Sequence, residues 1–149
     1  MQITTTINNK PVTLTVTPDE MLADALRTQG YLSVKKGCDT SCCGLCTVWL
    51  DGKPTLSCNV LAFRAEGKQI TTIEGVQQQA TEFANVLVAE GAEQCGFCSP
   101  GFIMTVLAMK NELKNPSEQD IIHYLTGNLC RCTGYMGQLR AIKKYLGVA

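Results

Sequence analysis

Neither sign of charge is in surplus in this chain. Thirteen lysines and arginines stand against thirteen aspartates and glutamates, a formal net charge of zero at pH 7. That balance excludes the basic stripe nucleic acid requires, the cationic face an anionic membrane attracts, and a polyanionic substrate. Histidine is nearly absent: His123 stands alone, so a Rieske centre, with two histidines on one iron, is ruled out. Long apolar runs are missing too, and the longest falls far short of the roughly 20 residues of a membrane span. Met1-Gln2-Ile3-Thr4 shows no charged region followed by an apolar one, so the reading is a cytoplasmic chain without a secretion leader. Disulfides are rare in that compartment.

Cysteine is the exception to this scarcity. The chain carries nine, and in a cytoplasmic setting they read as metal ligands rather than a disulfide framework. Eight ligands and one spare is the simplest partition. Four thiols lie in the second half as two pairs, Cys95/Cys98 in Gln94-Cys95-Gly96-Phe97-Cys98-Ser99-Pro100-Gly101 and Cys130/Cys132 in Gly127-Asn128-Leu129-Cys130-Arg131-Cys132-Thr133-Gly134-Tyr135. Four thiolates from two loops can hold a tetrahedral metal or a 2Fe–2S cluster. In an extended segment residues i and i+2 share a side, so Cys130 and Cys132 face one site while Arg131 points away. One intervening residue leans away from a zinc ribbon, which uses two to four, although a structural Cys₄ zinc site remains the competing reading.

The first half has its own set, in Gly37-Cys38-Asp39-Thr40-Ser41-Cys42-Cys43-Gly44-Leu45-Cys46. Choosing Cys43 gives C-x4-C-x2-C with a fourth thiol at Cys58, the plant-type ferredoxin spacing. Choosing Cys42 gives x3 and x3. In the first case Cys42 is the spare thiol, packed as a small residue. Gly37 and Gly44 let backbone N–H groups come close to an anionic cluster.

The remaining pattern places these loops. Gln2 to Ile7 and Val12 to Val16 alternate around a turn at Asn8-Asn9, as a hairpin. Thr17 as N-cap, Pro18 and Glu20 predict a helix start, with Leu22, Ala25 and Leu26 inward and Gly30 ending it. Thr47 to Leu50, the Asp51-Gly52 turn, Thr55 to Cys58, and Gln69 to Ile73 read as strands. A boundary is expected over Glu74-Gly75 to Gln79, dividing the 149 residues into domains 1–75 and 76–149. Helices are then expected over Thr81 to Glu90, Pro100 to Leu113, from a Ser117/Asp120 capping box to Gly127, and Gln138 to Leu146. All four read as amphipathic, and Ile121, Ile122 and Leu125 are expected to be buried. Pro100 would aim a helix N-terminus at Cys95/Cys98. Trp49 and Phe97 read as packing, and Met104 and Met109 as helix core.

These motifs resemble the small iron–sulfur subunit of the molybdenum hydroxylases, the xanthine dehydrogenase and aldehyde or nicotinate dehydrogenase group. The resemblance runs through Gly37 to Val48, Ser57-Cys58 with Ala62, Gln94 to Gly101, and Gly127 to Tyr135, so it covers both halves. Ser41, Leu45 and Ser99 depart from the usual glycine, alanine and threonine, and Cys42 is unusual, but no ligand is lost. The implied fold is α+β: an N-terminal β-grasp, ferredoxin-like 2Fe–2S domain followed by an all-α four-helix-bundle 2Fe–2S domain. By the resemblance Cys38, Cys43, Cys46 and Cys58 bind one cluster. Cys95, Cys98, Cys130 and Cys132 bind the other, nearer molybdenum, and Gln94 and Cys132 lie beside the partner's molybdopterin.

The same resemblance implies a molybdopterin-binding large subunit and an FAD-binding medium subunit, in a heterotrimer that can dimerise. Substrate hydroxylation with water at molybdenum releases two electrons, and this chain would relay them towards flavin or another acceptor without bond chemistry of its own. A free-standing two-cluster carrier is the alternative, but a diffusing carrier should be markedly charged for steering. A redox sensor or metal store would show an incomplete or exposed cysteine set.

Overall fold

The computed structural model describes residues 1–148 and is a mixed α/β structure. Strands β1 (Gln2–Ile7) and β2 (Lys10–Thr15) form the expected hairpin. Asn8 and Asn9 both take positive φ at its turn, the backbone a two-residue hairpin loop needs to match strand twist. β3 (Thr47–Leu50) and β4 (Lys53–Leu56) form a second hairpin around Asp51-Gly52, and β5 (Gln69–Thr71) joins the two. The sheet runs β2-β1-β5-β3-β4, with β5 parallel to β1 and antiparallel to β3. Register follows burial: Ile7 pairs with Ile70, and Ile3, Ile7, Leu14, Val48 and Ile70 share one core with Leu22, Ala25 and Leu26 of α1 (Leu22–Thr28). Each such fully buried aliphatic side chain contributes about 1.5–3 kcal/mol.

Helix α1 starts later than its N-cap signal predicts. Thr17 N does donate to Glu20 Oε2 at 3.1 Å, but residues 17–20 form a turn, because Met21 bridges to Leu61 and Leu22 N donates to Val60 O. The expected strand at 55–58 is also displaced: β4 ends at Leu56, and Ser57–Asn59 is a 3₁₀ turn.

Four helices follow, α2 (Gln77–Ala89), α3 (Ser99–Glu112), α4 (Glu118–Tyr124) and α5 (Met136–Leu146). The polar run 77–79, read as boundary, is the first turn of α2. The Ser117/Asp120 capping box is present on α4. Only Ile121 of its apolar residues is fully buried, and Ile122 is exposed. Helix α3 is not amphipathic: Gly101 through Met109 are all buried. It lies between the β3-β4 hairpin and α2, in a core shared with α5, and a helix so enclosed needs no polar face. Among the described residues no helix is long and apolar enough to cross a membrane.

The two halves meet through backbone. Trp49 Nε1 donates to Met104 O at 3.0 Å, and Leu129 N donates to Cys43 O at 2.8 Å. A Cβ on Gly101 would lie 2.4 Å from Gly44 O, and one on Gly44 2.2 Å from Gly127 O.

A polar network marks the way from β5 into α2. Buried Thr72 donates from Oγ1 to Glu74 Oε2 at 2.5 Å and from N to Asn8 Oδ1 at 2.9 Å, while Ser33 Oγ donates to Glu74 at 2.7 Å. Burial pushes the Glu74 carboxyl up, but the Thr72 and Ser33 hydroxyls outweigh it and hold it below its ordinary value. A carboxylate lowered in the folded state stabilises fully above its unfolded pKa, and that stability is lost as pH falls through the lowered folded value. Glu74→Gln is therefore expected to cost about 0.5–1 kcal/mol at pH 7, a charged hydrogen bond discounted for solvent exposure. Urea melts from pH 7 to 3 should show a flatter acid limb in the variant; identical limbs would show that the network contributes no pH-dependent stability.

Candidate metal centres

The first cysteine loop runs from α1 to β3. Cys46 is buried where β3 begins, and Cys58 sits in the 3₁₀ turn after β4. Fully buried Ser57 fastens these together, donating from Oγ to Cys46 O at 2.6 Å. Burial, with the neighbouring Cys58 thiol, pushes Cys46 up to about 11, and Cys58 Sγ donates to Ser41 Oγ at 3.5 Å. Cys38 pairs with Cys43. The Cys43 thiol and the backbone N–H groups of Cys42, Cys43 and Thr40 hold Cys38 down to about 6. Several N–H groups converging on one sulfur form an anion nest, and the loop bends into it with Ser41 at φ 56°.

Cys42 does not join them. It is exposed, with Sγ 3.1 Å from Thr40 Oγ1, whereas Cys43 is buried. The expectation that the spare thiol packs as a small residue is corrected: Cys43 faces inward to Cys38, which turns its neighbour out to solvent.

The second site is built from two loops held by helices. Cys95 and Cys98 lie between α2 and α3, with Cys98 as the N-cap of α3 and a proline in its first turn. Cys130 and Cys132 lie between α4 and α5. Cys132 Sγ donates to Cys95 Sγ at 3.5 Å, and Cys98 pairs with Cys130. Burial, the Cys130 thiol and the nearby Glu93 and Cys95 charges push Cys98 up to about 12. Burial also raises Cys130, but donation from Thr133 Oγ1 at 3.1 Å and from Thr133 N at 3.5 Å leaves it lowered. Cys130 N donates to Tyr135 OH at 3.1 Å, and Tyr135 itself turns the chain into α5 at φ 69°. Gln94 and Cys132 are both exposed, as is Phe97.

Among the described residues no three histidine, cysteine or acidic side chains converge on one point that could hold a single metal ion. The eight thiols couple instead in four pairs: the 95/132 sulfurs lie 3.5 Å apart, and within 38/43, 46/58 and 98/130 one thiol shifts the other's acidity. A mononuclear Cys₄ site needs four sulfurs around one centre, whereas a 2Fe–2S cluster takes two on each of two irons. The donor set and its pairing fit two clusters.

Residues 5–71 match the family model described as a 2Fe-2S iron-sulfur cluster binding domain, and residues 72–143 that of a 2Fe-2S binding domain. The xanthine dehydrogenase iron-sulfur-binding subunit of Escherichia coli O157:H7 is 46% identical over 137 residues, spanning 87% of this chain and 84% of that one. This chain belongs to the iron–sulfur subunits of the molybdenum hydroxylases. The nicotinate dehydrogenase small FeS subunit of Eubacterium barkeri is 37% identical over 142 residues, spanning 93% of this chain and 90% of that one. Among solved structures, quinoline 2-oxidoreductase from Pseudomonas putida 86 superposes with a TM-score of 0.90 at 40% identity, over 98% of this chain and 92% of that one. As a molybdenum-hydroxylase iron–sulfur subunit, the chain is the electron-transfer part of an oxidoreductase, with two 2Fe–2S-binding domains, the first ferredoxin-like.

Sequence reasoning named Ser57, Thr133 and Tyr135 only within motifs and Gln138 only as a helix start, and assigned none of them a role. Gln138 is 4% exposed and lies beside Cys98. Its signal was a polar residue directly before the apolar stripe of a helix, where an exposed start is the default expectation.

Proposed function

We propose that Cys38, Cys43, Cys46 and Cys58 hold one 2Fe–2S cluster and that Cys95, Cys98, Cys130 and Cys132 hold the second. The four thiol pairs carry this reading. When bound, each cluster supplies a one-electron store, so two in one chain connect a two-electron donor to a two-electron acceptor such as flavin. The chain's own residues hold and insulate them. The N–H groups around Cys38 and the Thr133 donors at Cys130 stabilise negative sulfur, and the buried positions of Cys43, Cys46 and Cys130 exclude water. The Leu129–Cys43 hydrogen bond ties the two cysteine loops directly to each other.

The domains in this reading are 1–75, a β-grasp domain, and 76–149, whose α2 to α5 act as a four-helix bundle. The partners are a molybdopterin-binding large subunit and an FAD-binding medium subunit, assembled as a cytoplasmic heterotrimer that can dimerise. Gln94 and Cys132 face the partner's molybdopterin. Their exposure supports this.

Metal analysis of the purified protein tests the assignment. About four irons and four acid-labile sulfides per chain are expected, with two distinct S = 1/2 EPR signals on reductive titration. One signal, or stoichiometric zinc, would overturn it.

A further inference from the structure

Gln138 occupies the third position of α5, counting from Met136. A glutamine there ordinarily reaches back to the N-cap backbone N–H. No such bond forms: Tyr135 N donates to Thr133 Oγ1 at 3.3 Å instead. The side chain turns inward and is buried, lining a seam with Phe102, Asn128 and Leu129. Its Oε1 is the one buried side-chain polar atom without a partner among the described residues. Its Nε2 lies 4.0 Å from Cys98 Sγ. The surrounding seam, lined by Cys43, Leu45, Cys98 and Cys130, is too narrow for a water molecule to satisfy the amide.

An unpaired buried amide oxygen is costly, and a neutral thiol at 4.0 Å is a weak acceptor that offsets little of that cost. A thiolate is a much better acceptor for the same N–H. The orientation therefore makes sense for Cys98 in its ligand form, with Nε2 as a donor facing the sulfur.

Resting on the two-cluster reading above, we propose that Gln138 is a positioning residue of the second cluster, donating from Nε2 to the Cys98 thiolate and raising that cluster's reduction potential. The direction follows from charge. Reduction adds an electron to an anionic centre, so a donor at a ligand sulfur stabilises the reduced form more than the oxidised one.

The test is an EPR-monitored redox titration of the complete complex, comparing the natural protein with Gln138→Met, which keeps the volume but cannot donate. At the natural midpoint of the second cluster, the reduced-to-oxidised ratio of the variant is expected to fall about tenfold, or about 59 mV for a one-electron couple. The first cluster should titrate unchanged. A packing role alone predicts a variant that melts no lower and titrates at the natural potential; that result, or an equal shift of both clusters, overturns the proposal. If the variant loses iron, glutamine-side-chain ¹⁵N labelling decides, in protein carrying Gln94→Met to silence the other glutamine beside the site. A ¹⁵N coupling to the second cluster's signal supports the bond, and its absence rejects it. A natural protein showing a single signal would instead take down the two-cluster reading, and this proposal with it.

Discussion

Cys43→Ser is expected to lose about half of the chain's iron and one of its two EPR signals, while Cys42→Ser keeps both. The two thiols are adjacent in sequence but opposite in environment. Cys43 is buried, pairs with Cys38, and presents its backbone carbonyl to Leu129 N of the other loop. Cys42 is exposed and meets only the Thr40 hydroxyl. Its thiol cannot replace Cys43 without turning this segment of the loop over, and that would withdraw N–H groups from the Cys38 nest. A serine oxygen at position 43 is a poor substitute for thiolate on iron, so loss or gross distortion of the first cluster is the expected phenotype. Iron content and the reduced-state spectrum of each variant provide the measurement. Loss of the cluster from Cys42→Ser with retention in Cys43→Ser would require the ligand set to be rewritten.

Gly44→Ala should be the most damaging single-methyl change in the chain. Gly44 has φ 72°, and an added Cβ would lie 2.2 Å from Gly127 O and 2.7 Å from Asn128 Nδ2. Left-handed backbone costs a non-glycine residue about 1–2 kcal/mol, and overpacking against atoms that cannot retreat about 1–3 kcal/mol more. The expected loss is about 2–5 kcal/mol, a large share of the stability of a small protein. Gly52→Ala is the control: its φ is 79°, but nothing lies within 4 Å of the added atom. It should show only the backbone cost. Denaturant melts of the two variants separate backbone strain from wedge, and equal losses would mean that the loops part without penalty.

The features legible in the sequence are those settled within a few residues. The Ser117/Asp120 box forms because both partners lie on one helical turn. The Asn8-Asn9 and Asp51-Gly52 turns form because residues tolerant of positive φ stand where two-residue hairpins need them. Cysteine spacing likewise singled out the two sets of thiols proposed as ligands, since chelation by a loop requires short, regular intervals. The start of α1 was less legible because a distant segment competed for it. The Thr17 signal is sound locally, and half of its capping contact exists. Met21 is nevertheless drawn into a bridge with Leu61, and the helix waits until Leu22.

What tertiary structure alone decided is which surfaces face each other. The even burial of α3 comes from β3 and β4 on one side and α2 on the other, and no pattern within residues 99–112 encodes those neighbours. The exposure of Ile122 beside buried Ile121, and of Cys42 beside buried Cys43, depends on how each segment is rotated against its packing partner. The thiol pairs 95/132 and 98/130 join loops separated by two helices. Gln138 turns inward to lie beside a cysteine forty positions earlier in the chain. By itself the sequence determined the chemistry, eight thiols in two spaced sets on a neutral chain, because ligand identity and local spacing are properties of covalent order. The pairing of those thiols and the contact between the two loops are contacts at long sequence separation, and only the packed chain contains them.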